Sequence, residues 1–387
     1  MRVLVLALGI PFPPIGGGLT RTFHLLQAIA PHHDVTLVGF SYEGGEDYEE
    51  PPYRLQVEAV PWQWSRDYRE MIGDDPAAAA RAHRYLAHDC VQPWFANVVD
   101  PVPMEKALAK VLTARPDVVV LEGTPLAQFA TALPGGVHRI LDLFDVHSVM
   151  DYRADEREAQ RTLAFERKAV RACTSCLAVS TGDAEAARSL LGASSVHLVP
   201  NGVDTSYFAP RPTPAEKGSL LFTGRMNYPP NVEAVCFFVE EILPLVRAVV
   251  PHARFHIVGA DPVPEVRALA SDAVVVHGRV LDVRPFLAAS EVVVVPVRSG
   301  GGTRLKVLEA AASGKPIVST RLGVEGLDFS ADDLLIADDV PDFAGAVVGL
   351  LGDPKTRQTI GLRARRVARR YQWSASGEAF RRVVEAT

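Results

Sequence analysis

Val292-Val-Val-Val-Pro-Val-Arg-Ser-Gly-Gly-Gly-Thr-Arg-Leu-Lys-Val-Leu-Glu309 reads as a strand, a glycine loop and the start of a helix, in that order. The valine run is the continuous apolar segment of a parallel strand covered on both faces. Ser299, Gly300, Gly301 and Gly302 leave the loop almost bare, so its N–H groups can converge on an anion. Thr303 is placed to cap the helix, whose first N–H groups and positive dipole end also favour an anion. Arg304 and Lys306 add full charge beside it. Glu309 follows about a turn and a half later; a carboxylate repels phosphate but accepts hydrogen bonds from sugar hydroxyls. Together these residues predict a site for a phosphate joined to a polyol, such as a nucleotide. A plain glycine turn beside a solvated Arg and Lys explains the glycines, but not the cap, cations and carboxylate gathered in one loop.

The same strand–helix alternation runs outward in both directions. Segments 3–8, 35–40, 55–60, 118–121, 140–143, 177–180 and 196–199 are predicted strands, with helices at 75–97, 103–114, 151–171 and 182–191. Arg211-Pro-Thr-Pro-Ala-Glu-Lys-Gly218 has linker composition. Strands then resume at 220–223, 254–258, 274–276, 292–295 and 316–320, with a long helix expected at 231–249. Such alternation makes parallel sheets from βαβ units. The predicted class is α/β, with two Rossmann-like domains facing across a cleft. Their expected extents are 1–210 and 211–370, with segment 371–387 packing back on the first domain. Ligands in such sheets lie at the carboxyl ends of strands. Gly9, Glu122, Asp145, Gly224, Gly259, Gly278 and Ser299 all follow predicted strands. No Gly-x-Gly-x-x-Gly follows the first strand, which speaks against nicotinamide or flavin.

Over 387 residues, 48% hydrophobic and 22% charged content describe a globular chain with ample core. A net charge of −6 argues against general nucleic-acid binding. Cys90, Cys173, Cys176 and Cys236 are too scattered for a disulfide framework, and the lone Cys173-Thr-Ser-Cys176 is better read as buried free thiols than as a zinc site. Arg2-Val-Leu-Val-Leu-Ala-Leu8 is too short for a signal peptide and reads as a first strand. No stretch is long enough to span a bilayer. A cytoplasmic location is the expectation.

Three segments carry a resemblance that covers nearly the whole chain: Pro200-Asn-Gly-Val-Asp-Thr-Ser-Tyr-Phe208, Thr223-Gly-Arg225 and Lys306-Val-Leu-Glu-Ala-Ala-Ala-Ser-Gly-Lys-Pro-Ile-Val318. With an N-terminal Gly-Gly loop, they resemble the GT-B glycosyltransferases, and among these the retaining group called family 4. The resemblance implies transfer of a sugar from a nucleotide-diphosphate donor to an acceptor hydroxyl, with the donor as substrate and no separate cofactor. It implies that Gly224 and Arg225 bind the diphosphate and Glu309 the ribose, and that the backbone of Gly278, Arg279 and Val280 frames the base. Gly16, Gly17 and Gly18 would lie beside the diphosphate and donor sugar. His147, or alternatively His138, would be the family's histidine near the transferred sugar; His147 is preferred because it follows a strand end. Two features depart from the pattern. The first Glu of the family's Glu-x7-Glu falls on Gly301, so the backbone of Gly301, Gly302 and Thr303 is expected to take its place. The Lys usual after Gly-Arg is missing from Asn227-Tyr-Pro-Pro-Asn231, so Lys306, with Arg304, is expected to supply that cation.

Breaking the anomeric carbon–phosphate bond puts negative charge on the diphosphate, which cations and amides can stabilise. With no Asp-x-Asp motif, metal independence is expected; the resemblance implies front-face attack. The acceptor would be a cell-surface glycan precursor or a small natural product, and the protein a monomer or homodimer. Trp62, Trp64, Tyr68 and Trp94 make either an acceptor wall or, more commonly, core. Glu325 is a further donor contact or a cap. The arginines from Arg363 to Arg382 make either a membrane-surface face or, more commonly, a solvated helix face. Other readings are a GT-B epimerase and a non-catalytic two-lobe sugar-nucleotide binder.

Overall fold

The computed structural model of the chain describes residues 1–41, 48–72, 93–152 and 156–386. Contacts divide it into two units, Met1–Pro200 with Ser376–Thr387, and Asn201–Ala375. Among the described residues, the first unit holds seven parallel strands: β1 (Arg2–Ala7), β2 (Asp34–Ser41), β3 (Gln56–Pro61), β4 (Val118–Glu122), β5 (His138–Leu143), β6 (Ser175–Ala178) and β7 (Val196–Leu198), in the order β3-β2-β1-β4-β5-β6-β7. The second holds six: β8 (Ser219–Thr223), β9 (Arg254–Val258), β10 (Val274–Gly278), β11 (Val292–Val295), β12 (Ile317–Ser319) and β13 (Leu335–Ile336), in the order β10-β9-β8-β11-β12-β13. Both sheets wind outward from their first strand and then restart on its other side. The switch points between β1 and β4, and between β8 and β11, are where such sheets bind ligands.

Packing follows the sequence pattern. In β1, Leu4 and Leu6 join one core with Val38, Leu121 and Leu141, while Val3, Val5 and Ala7 join the opposite core with Leu25 and Ile29 of the helix Gly17–Ile29. The four valines of β11 are at most 1% exposed and lie at the centre of the second unit's core.

The joint falls at 200/201, ahead of the expected 210/211. The cause is local. Val203 is buried in the second core and its N–H donates to Tyr371 O at 2.6 Å, while Gly202 lies directly against the Trp373 backbone. The proline-rich stretch 211–217 is therefore an exposed lead-in to β8. The closing helix, Trp373–Glu385, changes unit between Ala375 and Ser376, not at 371, and Phe380, Val383 and Val384 pack with Val3 and Val5.

The helix expected at 231–249 is Pro229–Phe237 and Leu243–Val249 joined by a π-turn over Phe238–Ile242. Pro244 lacks an N–H for the helical ladder, which accounts for a break in regular α-helical bonding just ahead of it. Most of the helix expected at 75–97 lies outside the described residues, as does Cys90; within it, Trp94–Asn97 is helical. β13 is too short to show in the apolar pattern. Cys173 and Cys176 are free thiols, both pushed up to about 12, chiefly by burial. No described helix is long and apolar enough to cross a membrane.

Candidate nucleotide site

In the second unit the turns after β8, β9 and β10 are stitched edge to edge. Gly224 N–H donates to Val258 O at 3.1 Å, Gly259 N–H to Gly278 O at 3.0 Å and Met226 N–H to Ala260 O at 2.8 Å. A Cβ on Gly259 would lie 1.6 Å from Gly224 O, so this crossing admits only glycine. Beyond the switch point, the loop 296–304 leaves β11 with positive φ at Gly300 (85°) and Gly302 (71°), and the helix Leu305–Ala312 follows.

Lys306 reaches back from that helix to the end of β8. Its Nζ donates to Asn231 Oδ1 at 2.6 Å and lies 3.9 Å from the centre of the Phe222 ring. A Cβ on Gly224 would come within 2.9 Å of the same nitrogen, so the ammonium sits against the Gly224-Arg225 turn. Burial holds Lys306 well below the usual lysine range, with Arg304 lowering it further and Glu309 opposing. Burial also raises Glu309 to about 7, against the pull of Lys306. Asn231 was not singled out as a site residue in the sequence. Its Nδ2 donates to Arg225 O at 2.8 Å, so one amide ties both cationic residues together. The only sequence trace is a buried amide in the first turn of a helix that starts at Pro229.

Arg225 and Arg279 are exposed and share Asp261: Arg225 Nη2 is 3.1 Å from Asp261 Oδ2, and Arg279 Nη2 is 3.9 Å from Oδ1. Asp261 adopts φ 58°, the left-handed region, on the turn beyond Gly259. Gly278 (φ 69°) ends β10 with nothing within 4 Å of a built Cβ, while Val280 packs on the core.

Two expectations need correction. Thr303 is not the helix cap, because the helix begins at Leu305 with Arg304 in the cap position; Thr303 Oγ1 instead accepts from Asn201 Nδ2 at 2.6 Å. Arg304 does not join Lys306 as a free cation. It is 9% exposed, and its guanidinium donates to the carbonyls of Gly301 and Ser299, clamping the loop. Glu325 is exposed after the short helical turn Leu322–Val324.

In the first unit, Gly16 (φ 91°) turns the chain into the helix Gly17–Ile29, and Gly18 has open space around it. Arg21, on the buried face of that helix, grips Asp142 with Nε at 2.7 Å and Nη2 at 2.9 Å, and donates Nη1 to Val199 O at 2.9 Å. Glu122 ends β4 beside this pair at 2% exposure. One cation faces two carboxyls. Burial first and Asp142 second push Glu122 to about 8, against Thr22 and Arg21. The folded chain therefore keeps a proton that the unfolded chain releases near 4.5, so stability falls as pH rises between 4.5 and about 8. Glu122→Gln should flatten that fall. Denaturation midpoints at about pH 5 and about pH 8.5 would test this, and an unchanged slope would exclude it.

His147 opens the helix His147–Tyr152 just beyond β5. Glu166, fully buried, accepts from its N–H at 2.8 Å and from the N–H and Oγ of Ser148 at 3.2 and 2.5 Å. The imidazole lies against Phe95, and burial lowers it to about 4, so it is neutral at pH 7. His138 starts β5, at the opposite end of the sheet, with Nε2 3.4 Å from Ser175 Oγ. Trp62 packs edge-on against Phe40 and Trp64, and Trp64 stacks on Tyr68 at 4.7 Å. The Trp94 side chain lies outside the described residues. Toward the C-terminus, Arg381 pairs with Glu378 and Glu385, and Arg382 with Glu378.

Two parallel α/β units, the second with cations and a carboxylate at its switch point, define the GT-B class of glycosyltransferase. Residues 15–207 match the family profile described as Glycosyltransferase Family 4, and residues 217–353 the one described as Glycosyl transferases group 1. The chain belongs to this family.

It is 31% identical over 208 residues to a phosphatidyl-myo-inositol mannosyltransferase of Mycolicibacterium smegmatis, covering 50% of this chain and 53% of that one. It is 28% identical over 297 residues to a D-inositol 3-phosphate glycosyltransferase of Kineococcus radiotolerans, covering 64% and 66%. The chain thus spans about half the length of the first of these relatives. The fold matches a sucrose-phosphate synthase from Thermosynechococcus elongatus at TM-score 0.75 and 18% identity, and HepE from Anabaena, solved with UDP and glucose, at 0.68 and 13%; both matches cover 100% of each chain.

Proposed function

We propose that the protein transfers a sugar, with retention and without a metal, from a nucleotide-diphosphate donor to an acceptor hydroxyl. The observation that carries this reading is Lys306 standing against the Gly224-Arg225 turn at the end of β8, with Glu309 on the same helix as Lys306. In open α/β sheets nucleotides bind at the switch point, which here lies between the ends of β8 and β11. Lys306 stands against the Gly224-Arg225 turn with an amide and a ring face as neighbours, a setting that attracts an anion. Arg225 can exchange its half-exposed bond to Asp261 for phosphate oxygens. Glu309, one helical turn beyond Lys306, is an acceptor for ribose hydroxyls. The HepE complex with UDP and glucose supports a UDP-sugar as the first donor to test.

As the sugar–phosphate bond breaks, Arg225, Lys306 and the loop amides stabilise the growing charge on the diphosphate. In front-face attack the leaving phosphate takes the acceptor's proton, so no carboxylate has to act as nucleophile. His147, neutral at pH 7, is the first unit's proposed hydrogen-bonding group for the sugar. A cell-surface glycan precursor or a small natural product is the proposed acceptor.

UDP or GDP should raise the melting temperature, since a ligand that binds only the folded state stabilises it. Arg225→Ala and Glu309→Ala should remain folded and lose about tenfold or more in kcat/KM, at about 1.4 kcal/mol per tenfold. EDTA should leave transfer unchanged. Wild-type turnover in both variants would refute the assignment. Sugar product formed without acceptor would mark an epimerase, and binding without turnover a non-catalytic binder.

A further inference from the structure

The amide of Asn231 lies between the two cationic residues of the site and is 8% exposed. Its orientation follows from its neighbours. An ammonium can only donate, so Oδ1 faces Lys306 Nζ at 2.6 Å; a carbonyl can only accept, so Nδ2 faces Arg225 O at 2.8 Å. Among the described residues, no carboxylate oxygen lies within ion-pair distance of Lys306 Nζ. Its contacts are this amide oxygen and the face of Phe222.

We propose that Asn231 is a positioning residue of the diphosphate site, whose neutral amide holds the Lys306 ammonium against the β8 turn without cancelling its charge. The proposal rests on the nucleotide-sugar reading above. An aspartate of the same shape would satisfy Lys306 with a full ion pair and leave less attraction for phosphate. It would also turn an acceptor toward the Arg225 carbonyl, which needs a donor. Asparagine meets both geometric demands at zero charge.

The consequence is a coupling between proton and ligand. Burial lowers the proton affinity of Lys306, and an incoming diphosphate restores it. Nucleotide binding should therefore take up a proton over the pH range in which Lys306 titrates in the free protein. Titration calorimetry of UDP and GDP, repeated in HEPES and in Tris, reads this as a buffer-dependent heat.

Wild type is expected to bind with uptake. Asn231→Asp is expected to bind on the order of tenfold weaker or worse, with no uptake, because Lys306 stays charged throughout. A residue serving only the fold would lower the melting temperature without abolishing the uptake. If Asn231→Asp does not fold, Asn231→Ser carries the test: still neutral but without the reach of the amide, it should bind several-fold weaker with uptake retained. Wild-type affinity and uptake in a folded variant would overturn the role of Asn231 alone. Failure of wild type to bind either nucleotide would overturn the nucleotide-sugar reading and this role with it.

Discussion

Lys306→Met is expected to lower kcat for sugar transfer by about two to three orders of magnitude, and to leave the protein as stable as before or more so. The two halves of this expectation share one cause. The Lys306 nitrogen lies over the Phe222 ring with one amide partner, in a setting that disfavours its charge in the free protein. That desolvation opposes folding, and methionine keeps most of the stem volume while removing it. When the donor arrives, the same ammonium faces a diphosphate whose charge grows as the bond breaks. A fixed charge or donor in such a site is worth about 3 kcal/mol in the transition state. Lys306→Arg should not restore activity, because a planar fork does not fit the space between Phe222 and Asn231 that a compact ammonium occupies. Steady-state transfer assays together with thermal melts decide the matter. A folded Lys306→Met enzyme within a few-fold of wild type would remove Lys306 from the site.

The same residue marks how far the sequence could be read. Its place behind a buried valine strand and a glycine loop was visible locally, because strand burial, loop chemistry and helix onset each leave a short-range signature. Most strands of both sheets follow from such signatures, and so do the Gly224-Arg225 turn after β8 and the helix that carries Glu309. Partner choice leaves none. Arg304 and Lys306 stand two positions apart with similar chemistry, yet Arg304 turns inward onto the carbonyls of Gly301 and Ser299 while Lys306 reaches β8. Asn231 read only as the start of a helix, because its partner Lys306 lies 75 positions away and is brought near by the sheet. The joint was misplaced for a similar reason. Proline content marks an exposed segment, whereas the boundary depends on Val203 and Tyr371 meeting across more than 160 positions of sequence. Arg21 was hidden by its helix, where a cation on the buried face reads as a break in the apolar pattern unless its carboxylate is known.

That cation sets the largest stability effect expected here. Arg21→Met should cost about 3–5 kcal/mol, a large part of the roughly 5–15 kcal/mol that usually holds a domain together. Arg21 and Asp142 are at most 1% exposed, and the pair is closed by two short bonds, with the Val199 carbonyl taking a third. Removing the guanidinium leaves the Asp142 carboxylate buried without its counter-ion, beside Glu122, which burial and Asp142 already keep protonated. Most of the loss therefore comes from the abandoned carboxylate, not from the attraction between the partners, since burying an ion pair roughly breaks even against apolar groups. It follows that Arg21→Met combined with Asp142→Leu should recover most of what the single change loses. Denaturant unfolding followed by tryptophan fluorescence can read this, because Trp62 and Trp64 lie in the first unit. A single variant costing under about 1 kcal/mol, or a double variant no better than the single, would mean that the polar cluster beneath the β1/β4 switch point is not what holds the start of the first helix to its sheet.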